Sequence, residues 1–487
     1  MNRCLPPAVL TRRSLSPVPA KTKAHAWWSP LGPLFGVAAV LLCSVLHPVQ
    51  ATEPTGVAAR IDVPDLGTRR RGDDWPDFLG PARNGKSREQ GVAVWPAGGP
   101  PLVWKRRLGT GYATCSVSRG RLFVFDRVED MARLTALNSE TGEPLWTFRY
   151  PTDYEDLLGY DNGPRCTPVV DDDRVYIFGA GGMLHCLRVV DGKLLWKLDT
   201  AEQYHVVPNF FGVGSTPLIE GDLVIAQVGG SPPGTAGIYD GPVTGNGSGL
   251  VALNKWTGQE VYRLSDELAS YASPVAATID RRRWCFSFCR GGLLGFDPRS
   301  GAVRFHYAWR AKKLESVNAS TPVVFGPYVF ISETYGPGSS LLEIRGDRYQ
   351  VVWSDAKSKR AKAMQTHWNT PIYHEGFLYG SSGRHSAGAE LRCIEARTGR
   401  IAWSKKGLLR ASLLYVDGQL VVLSENGTLR LIRATSAGYQ ELGRAVIRDQ
   451  GHAVLTYPAW PAPVLSHGLV YVRGKNNLAC LELIADR

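Results

Sequence analysis

Residues 134–146 read Leu-Thr-Ala-Leu-Asn-Ser-Glu-Thr-Gly-Glu-Pro-Leu-Trp, and this stretch decides the fold. It predicts a strand with a small central residue, a tight turn on Thr-Gly, and a second strand that ends in Trp. Gly142 can take the positive φ that such a turn needs, because it has no Cβ. Ala136 is small enough to allow a close contact, and Trp146 is large enough to act as a packing wedge.

The phrase recurs along the chain, around Cys186 and Trp196 and again around Cys393 and Trp403. Its small residue can be followed through eight units, at Ala136, Cys186, Ala252, Gly295, Glu343, Cys393, Leu431 and Cys480. A second pair of strands, opened in most units by Thr-Pro or Ser-Pro, precedes each of them. Four short strands per unit is the content of one propeller blade.

The outer strand of the last unit is missing after Cys480, because no Thr-Gly-Trp segment follows it. Residues 102–108, at the other end of the body, resemble such a strand and could pair there, leaving no free sheet edge. The sequence therefore predicts an all-β fold over residues 101–487: an eight-bladed β-propeller of four-stranded antiparallel blades, closed by an N-terminal strand. Seven blades is the alternative, because the unit at residues 409–442 lacks both Thr-Pro and Trp.

The first 100 residues differ from the repeats. Residues 1–51 carry five basic residues and no acidic one, then a short apolar run and small residues at 49–51, which predicts a signal peptide. A membrane span is disfavoured by the length of the run, and a twin-arginine signal at Arg12-Arg13 is an alternative export route. Residues 52–72 are expected to be a flexible linker, and residues 73–100 an irregular segment packed on the propeller.

These features predict an exported protein, periplasmic, associated with the cell envelope, or secreted, without a permanent membrane span once the leader is cleaved. Removing the five basic residues of the leader takes the formal net charge from +12 to +7. No basic run is interleaved with aromatic residues, so nucleic acid is not an expected partner. The body keeps seven cysteines and no CxxC, which indicates no zinc site, although Cys115 and Cys166 occupy equivalent positions and could form a disulfide.

Candidate site residues precede the first strand of each unit, because in a propeller these positions ring one mouth of the central channel. The predicted ligand-binding residues at this mouth are Tyr112, Asn162, Arg165, Tyr271, Asn318, His367, Trp368, Asn369, Arg410 and Tyr457. Phe210, Phe211 and Trp460 lie near them. Aromatic faces with Arg, Asn and His could hold a planar or anionic ligand. The alternative is that these side chains only fill and hydrate the channel.

The phrase Ala-Leu-Asn-x-x-Thr-Gly-x-x-x-Trp at residues 136–146 resembles the tryptophan-docking repeat of quinoprotein-type propellers. That superfamily includes the PQQ-dependent alcohol and glucose dehydrogenases and the non-catalytic BamB family of outer-membrane protein assembly. The resemblance covers about residues 100–487. Residues 74–81 and 159–165 are also similar to segments of a widespread group of exported PQQ-like repeat proteins.

The resemblance implies two functions. One is a non-catalytic, monomeric binding or scaffold protein of the cell envelope, BamB-like, whose partner is a protein or a small ligand. The alternative is a dehydrogenase that oxidises alcohols or sugars with PQQ and calcium. Catalytic quinoproteins in many cases carry an adjacent Cys-Cys pair, which is absent here, and Asp161 and Asn162 are the nearest calcium-ligand candidates. We therefore expect no catalytic residue and no metal, and favour binding; carbohydrate binding on the aromatic mouth is a third possibility.

Overall fold

The computed structural model describes residues 60–358 and 361–486. They form eight four-stranded antiparallel sheets and one two-stranded sheet, with a single short α-helix, α1 (Thr200–Tyr204), and a 3-10 turn at Ser386–Gly388. Neither helical segment in this part of the chain has the length and apolar character that crossing a membrane requires. The prediction of an eight-bladed all-β propeller is therefore confirmed.

The chain begins its regular structure with β1 (Leu102–Arg107) and then builds four blades in order. The strands of the first two blades are β2 (Ser116–Ser118), β3 (Arg121–Val128), β4 (Met131–Asn138), β5 (Pro144–Pro151), β6 (Val169–Asp171), β7 (Arg174–Phe178), β8 (Met183–Arg188) and β9 (Leu194–Asp199). Those of blades 3 and 4 are β10 (Leu218–Glu220), β11 (Leu223–Gln227), β12 (Leu250–Asn254), β13 (Glu260–Leu264), β14 (Val275–Ile279), β15 (Arg282–Phe288), β16 (Gly292–Phe296) and β17 (Val303–Ala308).

The second half of the ring repeats this order. The strands of blades 5 and 6 are β18 (Val323–Phe325), β19 (Tyr328–Ser332), β20 (Ser339–Arg345), β21 (Arg348–Ser354), β22 (Ile372–His374), β23 (Phe377–Ser382), β24 (Glu390–Glu395) and β25 (Ile401–Lys406). Blade 7 consists of β26 (Ala411–Val416), β27 (Gln419–Ser424), β28 (Thr428–Arg433) and β29 (Glu441–Val446). A small hairpin follows, β30 (Arg448–Asp449) and β31 (His452–Ala453). Blade 8 contains β32 (Val464–Ser466), β33 (Leu469–Gly474) and β34 (Asn477–Glu482).

Blade 8 joins the two ends of the body. β1 pairs antiparallel with β34, with Trp104 opposite Cys480, so the N-terminal strand supplies the outer edge of the last sheet. This pairing leaves no gap in the ring and confirms the predicted closure. The core lies mainly between neighbouring blades, where the second and third strands of each sheet are buried over most of their length.

The repeated phrase sets each blade against the next. In the first blade Ala136 lies opposite Trp146, and a bulge follows at once, between Ala136 and Leu137. The Trp146 indole N–H donates to the carbonyl of Val189 in blade 2 at 2.9 Å, and its ring covers Gly192 in the turn of that blade. Gly192 has φ +71°, and a Cβ there would lie 2.5 Å from the indole. Trp and Gly are therefore paired across the seam between blades.

The same contact recurs around the ring. An indole N–H donates to a turn carbonyl of the following blade in five seams, from Trp104 to Ser139, Trp146 to Val189, Trp196 to Lys255, Trp353 to Ala396 and Trp403 to Thr435. In blade 3 a tyrosine replaces Trp, and the Tyr262 hydroxyl donates to Pro298. The wedge is thus a property of the seam, and aromatic residues of different shape can provide it.

The small position predicted at Glu343 is wrong by two residues. Leu341 is opposite Trp353, and the bulge that marks this position follows it, whereas Glu343 pairs with Gln350. The turn of this blade is Arg-Gly-Asp at residues 345–347 and lacks the Thr-Gly on which the alignment depended. The blade itself is regular, so only the register within it is corrected.

Blade 7 has no aromatic residue at the wedge position, where Gly443 lies opposite Leu431. Trp95, from the segment that precedes the propeller, occupies the space, and a Cβ on Gly443 would lie 3.5 Å from its ring. Trp95 is buried in the hydrophobic cluster that includes residues of blades 7 and 8. Its indole N–H has no hydrogen-bond partner within the described residues. The N-terminal segment thus completes the repeat that the blade itself lacks.

Residues 75–87 also cross the central channel. Trp75 pairs with Val117 of blade 1, and Tyr415 of blade 7 donates its backbone N–H to Gly85. Between them, Arg83 is buried and donates to the carbonyls of Pro217 and Pro274, in blades 3 and 4, while holding Asp77 in an ion pair. Contacts with opposite sides of the ring require the segment to run across the channel, which it closes at one end.

Residues 60–72 are held by the propeller, which differs from the flexible linker predicted over residues 52–72. The Ile61 N–H donates to Asp173 at 3.1 Å, the Thr68 N–H donates to Glu140 at 2.6 Å, and Arg69 forms an ion pair with Glu482. Side-chain partners substitute here for regular structure. Residues 52–59 and the predicted signal peptide at residues 1–51 lie outside the described residues.

All seven cysteines of the body are buried and free of disulfide bonds. They include Cys115 and Cys166, between which the sequence allowed a disulfide. The Cys166 thiol donates to the carbonyl of Ser215 at 3.3 Å. Cys186, Cys393 and Cys480 lie at the small position of the repeat, where burial raises the pKa of each thiol. Packing accounts for these residues.

Candidate functional site

A cavity of about 420 Å³ lies at one mouth of the channel. Strands of a blade alternate in direction, so the start of each first strand and the loop after each second strand reach the same face. Both kinds of segment line the cavity, for example Tyr112 before β2 and Arg384 after β23. Phe78 and Leu79, from the crossing segment, also line it. The cavity is therefore a recess that this segment bounds within the channel.

Eight of the ten predicted site residues line this cavity: Tyr112, Arg165, Tyr271, His367, Trp368, Asn369, Arg410 and Tyr457. Asn162 and Asn318 do not. The side-chain oxygen of Asn162 accepts from the Asp156 N–H at 2.9 Å, which shapes a loop. Asn318 is fully buried, and its amide donates to the carbonyls of Cys289 and Trp309. Both amides are used by the backbone, so neither asparagine is among the residues that line this cavity.

One wall of the cavity is an aromatic and charged cluster. The Arg410 guanidinium forms an ion pair with buried Glu425 at 2.7 Å and lies 4.4 Å from the centre of the Trp368 ring. Trp460 donates its indole N–H to Glu425 at 3.2 Å and packs against Trp368, with ring centres 4.9 Å apart. Burial alone would raise the pKa of Glu425, but the hydrogen bonds from Arg410 and Trp460 outweigh it, so the pKa is lowered.

His367 is held from both ring nitrogens. Arg410 donates to Nδ1 at 3.2 Å, since a guanidinium can only donate, and Nε2 then carries the proton and donates to the Tyr335 hydroxyl oxygen at 3.1 Å. Burial, and the positive charges of Arg410 and Arg384, lower the pKa of His367 to about 3. The imidazole is therefore neutral at physiological pH, and both of its nitrogens are already engaged.

Arg165 holds the opposite wall. Its guanidinium forms an ion pair with buried Asp156 and donates to the carbonyls of Gly163 and Asp161. It also lies 5.7 Å from the centre of the Tyr112 ring and 5.9 Å from that of Phe211. Arg165 thus stabilises the loop that presents these aromatic faces, and its charge is balanced by Asp156.

Among the residues that escaped the sequence prediction, three contact the site residues already described: Tyr335, Arg384 and Glu425. All follow the second strand of a blade, whereas the prediction considered only residues that precede the first strand. The guanidinium of Arg384 lies 4.5 Å from the centre of the Tyr335 ring, and no carboxylate pairs with it within the described residues. The signal that could have found these residues is the strand alternation, which returns the loop after each second strand to the mouth.

The donor set at the mouth does not fit a calcium ion, and hence not the calcium-dependent use of PQQ. Hard cations require several converging oxygen ligands that are not already neutralised. Asp156 and Glu425 are each paired with a guanidinium, and Asp161 accepts from the Gly163 N–H at 2.7 Å in a turn. In the part of the chain that the structure describes, no group of three or more His, Cys, Asp or Glu side chains is placed to hold a metal ion.

Comparison with known proteins places this architecture in a family. A family model described as outer membrane protein assembly factor BamB matches residues 130–405. The outer membrane protein assembly factor BamB of Moranella endobia (strain PCIT) is 27% identical over 126 residues, which are 26% of this chain and 27% of that protein. The match therefore spans about a quarter of that relative's length.

Two solved structures share the fold. BamB from Moraxella catarrhalis aligns over 78% of this chain and 97% of its own, with a TM-score of 0.52 and 15% identity. Quinohemoprotein alcohol dehydrogenase from Comamonas testosteroni aligns over 85% of this chain and 81% of its own, with a TM-score of 0.58 and 13% identity. At such low identity these likenesses establish the fold alone. Together with the family match over more than half of the chain, they show that this protein is a PQQ-like β-propeller that belongs to the family of outer membrane protein assembly factor BamB.

Proposed function

We propose that this chain is an exported, non-catalytic binding protein of the cell envelope, which acts as a scaffold through the mouth of its propeller. The names of its relatives refer to outer membrane protein assembly, and the basic and apolar leader at residues 1–51 supports export. A protein partner in the envelope is the expected ligand. Cell fractionation and the N-terminal sequence of the mature chain test the export step; a cytoplasmic chain with Met1 intact would contradict it.

One observation carries the binding function: the guanidinium groups of Arg165 and Arg410 are each neutralised by a buried carboxylate, and the one imidazole among the predicted site residues is neutral. Arg165 pairs with Asp156, Arg410 pairs with Glu425, and both nitrogens of His367 are engaged. A general base needs a pKa near the operating pH and access to the proton that it removes. His367, with a pKa lowered to about 3, meets neither condition. What the cavity offers to a partner is mainly aromatic surface, together with Arg384, which has no carboxylate partner within the described residues.

Photo-crosslinking from the mouth tests this function. Tyr160 and Tyr457 are exposed beside Trp460, where a photoreactive amino acid can be placed without disturbing the core. We expect both positions to crosslink the same envelope protein in cells. Val261, equally exposed in the outer strand of blade 3 and next to the turn at the opposite face, is the matched control and should give little of that product. Equal crosslinking from all three positions would contradict a specific role for the mouth.

The alternative function is a quinoprotein dehydrogenase, favoured by one specific feature: Arg384 has a guanidinium at the cavity wall without a carboxylate partner in the described part of the chain. Such a group could receive an anionic cofactor. The test is dye-linked oxidation of alcohols or sugars by purified protein with PQQ and calcium. We expect none. Activity that is lost in Arg384→Ala would overturn the binding function and establish the enzyme.

A further inference from the structure

A second cavity, of about 310 Å³, lies beside blades 2 and 3 and shares no lining residue with the mouth cavity. Its wall includes the loop at residues 180–182, residues 206–209, 212 and 213, and Val243 from the long loop between β11 and β12. Most of the wall is apolar. Its polar residues include Asp153, Glu155, Asn209 and Gln227, and its one basic residue is Arg290, from the turn after β15.

Arg290 is buried without a counter-ion. It is 6% exposed, no carboxylate pairs with it in the described residues, and its guanidinium makes one hydrogen bond, to the carbonyl of Leu314 at 3.4 Å. Its Nε has no partner. Arg473 is a useful contrast, because it is equally buried, at 4%, yet donates to the carbonyls of Ala113, Phe125 and Gly109. Nε of Arg473 also lacks a partner, but three carbonyls accept from the rest of its guanidinium, whereas Arg290 has one such hydrogen bond and a Phe210 ring 5.8 Å away.

The surroundings do not balance the charge of Arg290. Arg310, which is exposed, donates to the same Leu314 carbonyl at 3.3 Å, so a second positive charge lies beside the first. The nearby carboxylate of Glu267 is occupied by the Gly291 N–H and by His306, both at 2.7 Å. Burial and Arg310 lower the pKa of Arg290 to about 10, which still leaves it charged at neutral pH. A buried, unpaired charge is costly to a fold.

We propose that this second cavity binds a small monocarboxylate with an apolar tail, and that Arg290 pairs with its carboxylate. The single guanidinium matches one negative charge, and Val206, Val228 and Leu268 offer an apolar wall to the tail. Asp153 and Glu155 are exposed at the rim and disfavour polyanions. The site goes beyond the function proposed for the mouth and does not depend on it.

Isothermal titration calorimetry of the purified full chain with hexanoate and with 1-hexanol tests the proposal. The two probes share the tail and differ in charge. We expect saturable 1:1 binding of hexanoate and at least about tenfold weaker binding of hexanol, because only hexanoate can form a charge-assisted hydrogen bond with the guanidinium; a tenfold ratio corresponds to about 1.4 kcal/mol. In Arg290→Met the preference for hexanoate should disappear. Arg384→Met, which removes the same charge from the mouth cavity, should bind hexanoate like the wild type.

Each outcome of these titrations either supports the proposed site or overturns it. Equal affinities for the two probes, or no saturable binding of hexanoate to the wild type, would overturn the proposal. So would unchanged hexanoate binding in Arg290→Met, or its loss in Arg384→Met, which would place the ligand at the mouth instead. Arg290→Met should melt at the same temperature as the ligand-free wild type or above it, because it removes an unpaired buried charge. If that variant does not fold, the preference of the wild type for hexanoate over hexanol, together with its persistence or loss in Arg384→Met, still decides.

Discussion

Trp146 and Trp95 fill the same kind of gap between neighbouring blades, but they reach it from different parts of the chain. Trp146 belongs to the blade whose seam it fills, covers Gly192 of the next blade, and donates its indole N–H to Val189. Trp95 comes from the segment before the propeller, lies against Gly443, and leaves its indole N–H unpartnered within the described residues.

The difference shows what the seam requires. Both sites contain a buried or half-buried indole, so the volume of the ring is common to them. The hydrogen bond and the turn glycine of positive φ beneath the ring are present at Trp146 and not at Trp95, which lies against a strand glycine, Gly443. Packing is therefore the shared requirement, and the hydrogen bond is an addition that blade 7 does without.

The largest expected effect is that of Trp146→Ala. It removes a large aromatic side chain and leaves the Val189 carbonyl without its donor, so we expect the free energy of unfolding to fall by about 3–5 kcal/mol. The measurement is the midpoint of chemical denaturation, monitored by far-UV circular dichroism so that the signal does not depend on tryptophan fluorescence. Leu145→Ala, at a neighbouring position that is 41% exposed, is the control and should change the midpoint little. A Trp146→Ala protein with wild-type stability would show that the wedge is dispensable.

Trp95→Ala should cost less, about 2–4 kcal/mol. The cavity is similar in kind, but the substitution also removes an unsatisfied buried N–H, which offsets part of the loss. Val94→Ala, at a position that is 63% exposed, serves as the control for the same segment. If Trp95→Ala proved as stable as Val94→Ala, the N-terminal segment would not be completing blade 7.

The glycines on the two sides of the comparison should respond differently to alanine. Gly192 has φ +71° and would place a Cβ 2.5 Å from the Trp146 ring, so Gly192→Ala should destabilise the protein by about 1–3 kcal/mol. Gly443 has no positive φ, and its Cβ would meet Trp95 at 3.5 Å, an ordinary contact. Gly443→Ala should therefore be close to neutral. Thermal unfolding of the pair under one condition provides the measurement, and equal losses would contradict the distinction.

The smallest effect concerns pH and the anchoring of the N-terminal segment. His467 in blade 8 lies 3.2 Å from Asp74, and its hydrogen bond with that carboxylate holds the pKa of His467 above its ordinary value. A raised histidine pKa stabilises the fold fully below pH 6.5, and this contribution is lost as the pH rises through the higher pKa of the folded state.

We therefore expect the melting temperature to fall slightly more between pH 6 and pH 8 in the wild type than in His467→Asn. The difference should correspond to less than about 1 kcal/mol, because the pair is partly exposed and screened by solvent. Asn is the matched replacement, since it tolerates the left-handed φ of 51° at this position. Identical pH profiles would mean that the ion pair does not contribute to anchoring.

Much of the fold could be predicted from the sequence because the repeat is local. Thr-Gly turns and the small residue opposite Trp indicate both strands and their register, as at Ala136 and Trp146. The prediction failed where the signal is not local. The turn of blade 5 is Arg-Gly-Asp instead of Thr-Gly, so the small position was predicted at Glu343, although it lies at Leu341. In blade 7 the missing aromatic residue is replaced by Trp95, which belongs to a segment without periodicity.

The candidate site was predicted less completely. Residues before the first strands could be placed at the mouth from topology alone, and His367 and Arg410 do meet there. Their partners Tyr335 and Glu425 could not be chosen from sequence, because pairing depends on side-chain directions between different blades. Asn318 shows the opposite case: it precedes a first strand, but its buried amide donates to backbone carbonyls instead of facing the cavity.

The pairing of β1 with β34 has a consequence for the order of biosynthesis. The ribosome makes β1 before any blade and β34 after all the others, so blade 8 cannot assemble until translation of the body is complete. Contacts between such distant parts of a chain form slowly and leave sheet edges exposed in the meantime. A nascent chain that lacks Asn477–Glu482 keeps β1 as an unpaired edge. The ring can therefore close only in a chain that has been translated through β34.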